Sequence, residues 1–169
     1  GRTTENFSTT WEQIGKDLLE SDNFGRELNG NGFLDQPVNT IIAGKNTPEE
    51  KMQALFEHVR NNYTFNNYVS NYTDNGIKKT FNEKSGNAAD INLMLIAMFR
   101  KAGLDANPIV LSTVNNGVLN YSFPSRDKLN YVIAGVTINK EFYLIDATDK
   151  NAQINLLPIR AINDRGFMV

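Results

Sequence analysis

The sequence predicts an α+β domain in which a central buried helix packs on a small antiparallel β-sheet, with further helices on the N-terminal side. Three observations predict it. The stretch Ile91 to Ala102 is apolar around most of its circumference and is bounded by helix start and stop signals. Two runs of strand character, Tyr131 to Ile138 and Glu141 to Asp146, flank the pair Asn139-Lys140 and read as a hairpin. Helical patterns precede both, at Trp11 to Glu20 and from Pro48 to about Asn62.

Taken in order, residues 1–10 read as a disordered or linker extension. In the first helix Trp11, Ile14, Leu18 and Leu19 form an apolar face, which makes Trp11 a helix-to-core anchor. A connection rich in Gly and Asn follows. Thr47-Pro48-Glu49-Glu50 then supplies an N-cap, Pro at the first helical position and early acids, ahead of a stripe of Met52, Leu55, Phe56 and Val59. An irregular tract leads to the central helix, and a strand is expected around Pro108 to Thr113. In residues 150–169, Leu156, Leu157, Pro158 and Ile159 read as an edge strand or a linker to a following domain, since proline suits an edge.

The central helix opens at Lys84-Ser85-Gly86-Asn87-Ala88-Ala89-Asp90. Asn87 is a good N-cap, and Asp90 places a carboxylate in the electropositive first turn. Arg100 and Lys101 complement the dipole at the other end, and Gly103 stands where a left-handed residue closes a helix. If Ile138 pairs with Glu141 in the hairpin, Tyr131 becomes the diagonal same-face neighbour of Asp146, about 7 Å away.

Gly-x-Cys-x-Asp opening a buried helix, then Arg-x-x-Gly-Leu-x-Ala, a strand beginning Asn-His, and a later strand ending Asp-x-Thr is the pattern of the transglutaminase-like (papain-related) cysteine enzymes. The chain resembles it from about Trp11 to Asp149, at Gly86 to Asp90, Arg100 to Ala106, Asn130 to Ile133 and Asp146 to Thr148. It looks closest to bacterial proteins in which a β-sandwich domain of unknown function precedes such a domain. The resemblance implies a transglutaminase-like core over residues 11–149, with the Cys, His, Asp triad falling on Ala88, Tyr131 and Asp146. Two of the three are lost.

The chemistry of that family needs a thiolate made reactive by the helix N-terminus and a nearby imidazolium. Ala88 has no atom for this, and a phenol with a reference pKa of about 10 is a poor base at neutral pH. Loss of the nucleophile alone costs roughly a millionfold in turnover where such residues act as a unit. A laboratory Cys-to-Ala change would leave the histidine in place, so Tyr131 points to a naturally inactive domain. Asp146 survives, and an Asp-x-Thr at a strand end equally caps the following turn.

Substitute chemistry has little material. The chain has no cysteine and one histidine, so structural zinc sites and cysteine or Ser-His catalysis have almost no material, with His58 the only candidate, and no cofactor is expected. His58 flanks the apolar stripe of its helix and reads as a surface-edge residue. Glu27-Leu28-Asn29-Gly30-Asn31-Gly32 resembles the start of a calcium loop, but Val38 stands where a bidentate Glu is needed. Gly44-Lys45-Asn46-Thr47 lacks the upstream glycine of a phosphate loop. The tract Asn61 to Thr73 mixes Tyr with Asn as binding surfaces do, or is a strand and loop tucked against the sheet. The connection Val114 to Leu129 carries Tyr121 and Phe123, and in the resembling fold borders the same cleft. Candidate ligand contacts are therefore Asn87, Tyr121, Phe123, Tyr131 and Asp146.

At 169 residues and 40% hydrophobic content the chain makes one ordinary domain. A net charge of −2 gives no electrostatic case for nucleic acid or an anionic membrane, and no apolar run is long enough to span a bilayer. The ends read as those of an excised piece, and the resemblance implies export to the periplasm or cell envelope. The leading expectation is an inactive domain that binds or scaffolds, with neighbouring domains of the same polypeptide as partners and a peptide or glycan as ligand. A hydrolase or acyl transferase built around Asp146, and a purely structural spacer, are the alternatives.

Overall fold

A computed structural model describes residues 11–111, 129–157 and 167–168. Helix α1 spans Trp11–Glu20, α2 Asp35–Ile42, α3 Pro48–Asn62, α4 Ile77–Glu83 and α5 Ala88–Lys101. Strand β1 (Thr64–Phe65) pairs in parallel with β2 (Ser85–Gly86). The main sheet holds β3 (Asp105–Leu111), β4 (Tyr131–Ile138), β5 (Glu141–Ile145), β6 (Asn155–Leu157) and β7 (Phe167–Met168), in the order β6-β5-β4-β3-β7 with every pairing antiparallel.

The expected α+β architecture is present, and α5 is its centre. Every residue from Ala88 to Phe99 is buried, because the helix packs on β3 and β4 and is covered by α2, α3 and α4. Asn87 and Asp90 form a reciprocal capping box at its start, and Gly103 takes the left-handed conformation (φ +84°) after its end. Helix α3 opens on a second capping box, Thr47 with Glu50, and buries Met52, Leu55, Phe56 and Val59.

The hairpin forms in the expected register, with Ile138 opposite Glu141. Asn139 and Lys140 both adopt positive φ, 51° and 68°, as a two-residue turn requires to match strand twist. Val132, Ala134, Val136 and Ile138 face the main core, while Ile109, Ile133 and Phe142 make a smaller cluster against which Tyr131 packs. Strand β6 lies at the sheet edge; Pro158 and Ile159 fall outside the described residues.

Several expectations are corrected. Helices α2 and α4 occupy segments read as turn-rich or irregular. Both are short, and they form because packing buries Val38 in one and Ile77 and Thr80 in the other, which outweighs weak local propensity. Strand β3 begins at Asp105 rather than Pro108, and Pro108 is accommodated opposite Ala134, where β4 is its sole partner strand among the described residues. Leu19 is not part of the buried face of α1: Ile14 and Leu18 are fully buried, but Leu19 is 48% exposed. The side chain of Trp11 lies outside the described set.

Candidate functional site

Tyr131 and Asp146, the positions the resemblance assigns to a base and its orienting acid, meet at the start of β4 and just past the end of β5. The Tyr131 hydroxyl donates to Asp146 Oδ2 at 2.5 Å and lies 2.9 Å from Thr148 Oγ1. On the other carboxylate oxygen, Asp146 Oδ1 accepts from Asn92 Nδ2 (3.0 Å), the Thr148 amide (3.0 Å) and Thr148 Oγ1 (2.8 Å). Four donors thus converge on one carboxylate, about the number of lone-pair positions it offers. The two bonds from Thr148 are those of an Asp-x-Thr turn cap.

Asn92 links this cluster to the central helix and was not singled out by sequence reasoning. It is fully buried. Its amide donates to the Val132 carbonyl (2.9 Å) as well as to Asp146, and its Oδ1 accepts from the Ala147 amide (3.0 Å). One helix therefore holds two strands through one side chain. The available signal was a lone amide inside an otherwise apolar helix, four residues after Ala88 and so on the same helical face.

Ala88 is itself fully buried, and its amide donates to the Tyr68 carbonyl at 3.1 Å. It shares the α5 face that carries Asn92, so the three positions implied by the resemblance connect as Ala88, then Asn92 a turn later, then Asp146 and Tyr131. Burial first, and then the charge of and hydrogen bond to Asp146, push the Tyr131 phenol well above its ordinary range. It is a proton holder at neutral pH, and the cluster contains no imidazole and no thiol.

Asn87 does not line an open surface. It is 1% exposed, its Oδ1 caps Asp90 (2.8 Å) and its Nδ2 donates to the Tyr72 carbonyl (3.0 Å). Asp90 does more than complement a dipole: fully buried, it gathers the amides of Asp74, Asn75 and Gly76 on Oδ1 at 3.0–3.1 Å and that of Asn87 on Oδ2 at 2.9 Å. The loop before α4 is thereby tied to the start of α5. Tyr121 and Phe123 lie outside the described residues.

The tract Asn61 to Thr73 divides. Tyr63 is buried, Phe65 is half-buried and Tyr72 sits edge-on to Phe24, whereas Tyr68 is 67% exposed. Glu27 pins the loop before α4, accepting from the Ile77 amide (3.2 Å) and Thr73 Oγ1 (3.3 Å). His58 is half-buried, with its ring edge-on to Tyr63 at 6.3 Å.

Residues 35–147 match the transglutaminase-like superfamily. Among solved structures, the chain is similar to a candidate protease from Parabacteroides distasonis (TM-score 0.61, 14% identity), covering 94% of this chain and 30% of that one. It is also similar to a candidate cysteine protease from Cytophaga hutchinsonii (TM-score 0.52, 14% identity), covering 89% of this chain and 54% of the other. The chain thus spans about a third to a half of the length of these structures. No curated protein sequence matches it.

Proposed function

The chain belongs to the transglutaminase-like superfamily, and we propose that it is a catalytically inactive member serving as a binding or scaffolding module within a larger cell-envelope protein. The observation that carries this reading is the closed bonding of Asp146. Its carboxylate accepts from Tyr131 on one oxygen and from Asn92 and Thr148 on the other, so both oxygens of the one surviving triad residue are engaged inside the fold. The absence of any cysteine from the sequence removes the family's nucleophile independently.

Two assays test it. Purified wild-type domain is expected to incorporate no amine, deamidate no glutamine peptide and cleave no peptide above a heat-denatured control. Activity above that control that is lost in Asp146→Asn would overturn the reading in favour of an enzyme working through Asp146. The double variant Ala88→Cys, Tyr131→His supplies the positive arm, since it returns the thiol and imidazole to their places. A spacer without a ligand is the second reading, favoured by the complete burial of Ala88. It predicts that fusion partners lose their relative arrangement, and no ligand affinity, when the domain is deleted.

A further inference from the structure

Helices α2, α3 and α4 enclose a groove of about 390 Å³ on a part of the molecule that uses none of the residues around Asp146. Half-buried Pro37, Ile41 and Phe81 give it an apolar floor, and Gln36, Thr40, His58 and Lys84 supply its polar groups. That mixture, an apolar surface with a few convergent polar atoms, is what small-molecule sites are made of.

Lys84 is the unusual member. It closes α4 in the left-handed conformation (φ 62°), where glycine is the residue without a steric cost. Its side chain folds back so that the ammonium lies 4.2 Å from the Phe81 ring centre and 5.0 Å from that of Tyr63. It donates to the Phe81 carbonyl (2.9 Å) and the Tyr63 hydroxyl (3.2 Å). An ammonium has three N–H donors, so one remains, and no carboxylate among the described residues pairs with it. A positive charge held over aromatic faces beside an apolar floor is complementary to an anion that carries its own apolar body.

His58 adds a second donor. Burial, and then the charge of Lys84, lower its tendency to protonate, so at neutral pH it offers one N–H and one acceptor nitrogen. A single ammonium with a neutral imidazole matches a monoanion; a dianionic phosphate calls for more positive charge than the groove holds.

We infer that this groove binds small organic monocarboxylates, the apolar body resting on Pro37, Ile41 and Phe81 and the carboxylate meeting the Lys84 ammonium beside His58. The inference is independent of the loss of catalysis at Ala88 and Tyr131.

The chain's sole histidine is a built-in reporter. The test titrates the folded domain with 4-phenylbutyrate, and with 4-phenylbutanamide as the uncharged control, while following the imidazole resonances of His58 by NMR. The acid is expected to give a saturable shift in the direction of protonation, and the amide to bind at least about tenfold more weakly. Lys84→Met keeps the apolar stem and is expected to weaken the acid by about tenfold or more. Ile41→Glu, which places a like charge on the floor, should do the same without touching the strained position. No saturable His58 shift in the folded wild type, equal binding of acid and amide, or unchanged binding in both variants would each overturn the inference.

Discussion

Tyr131 donates its hydroxyl to Asp146 Oδ2 at 2.5 Å across the open end of the β4–β5 hairpin. A histidine at that position would present two nitrogens, one facing the acid and one free for chemistry. The phenol has one polar atom, and its one hydrogen is committed to Asp146, with Thr148 Oγ1 2.9 Å away. The bond fastens the start of β4 to the end of β5.

Asp146→Asn should therefore cost stability. It converts charge-assisted bonds to neutral ones and turns a donor toward Tyr131, for an expected loss of about 1–3 kcal/mol in urea unfolding. A residue held for catalysis alone would show unchanged stability in that measurement.

Tyr131→Phe removes one donor to a partly buried carboxylate and should destabilise by about 1–3 kcal/mol at neutral pH. The pH dependence has a definite sign. The phenol is raised above its unfolded value of about 10, so the folded state holds the proton more tightly. Its contribution is complete below pH of about 10 and is lost as pH climbs above that. Tyr63, pushed up to about 12 by burial, acts in the same direction. Wild type should lose stability above pH of about 10, and Tyr131→Phe should lose it less steeply while keeping the part due to Tyr63.

Asn92→Ala deletes three hydrogen bonds, to Val132, Asp146 and Ala147, the first and last of them buried. A loss of about 3 kcal/mol or more is expected. Asn92→Asp should be worst at neutral pH and partly recover in acid, because it sets a buried carboxylate against that of half-buried Asp146. Chemical denaturation at two pH values checks both.

Gly86→Ala should destabilise by about 1–3 kcal/mol, since its Cβ would stand 2.5 Å from Asp90 Cβ and 2.8 Å from Asp90 Oδ2. The strain falls on the carboxylate that gathers the amides of residues 74–76, so hydrogen exchange of Asn75 and Gly76 should accelerate before the rest of the domain.

Much of the fold was legible because its signals are local. The start of α5 is announced by Asn87 and Asp90 three residues apart, its end by Gly103, and the hairpin by the turn at Asn139-Lys140. Helices α2 and α4 were not legible, because neither is long enough or well enough capped to declare itself without the core it packs on. At the candidate site the adjacency of Tyr131 and Asp146 followed from strand register, whereas Asn92 read as one polar residue in an apolar helix.

By itself the sequence determined that the chain has no cysteine and a single histidine, because chemistry absent from the residues cannot be restored by folding. It also determined the bounds of the central helix and the place of the hairpin turn, which depend on contacts a few residues apart. Only the tertiary structure decided that Asp146 bonds to Tyr131, Asn92 and Thr148, that Asn92 reaches residues 40 to 55 positions away, and that Lys84 and His58 share a groove. Those outcomes depend on how elements distant in the chain pack, and burial then requires each polar group to find its partner.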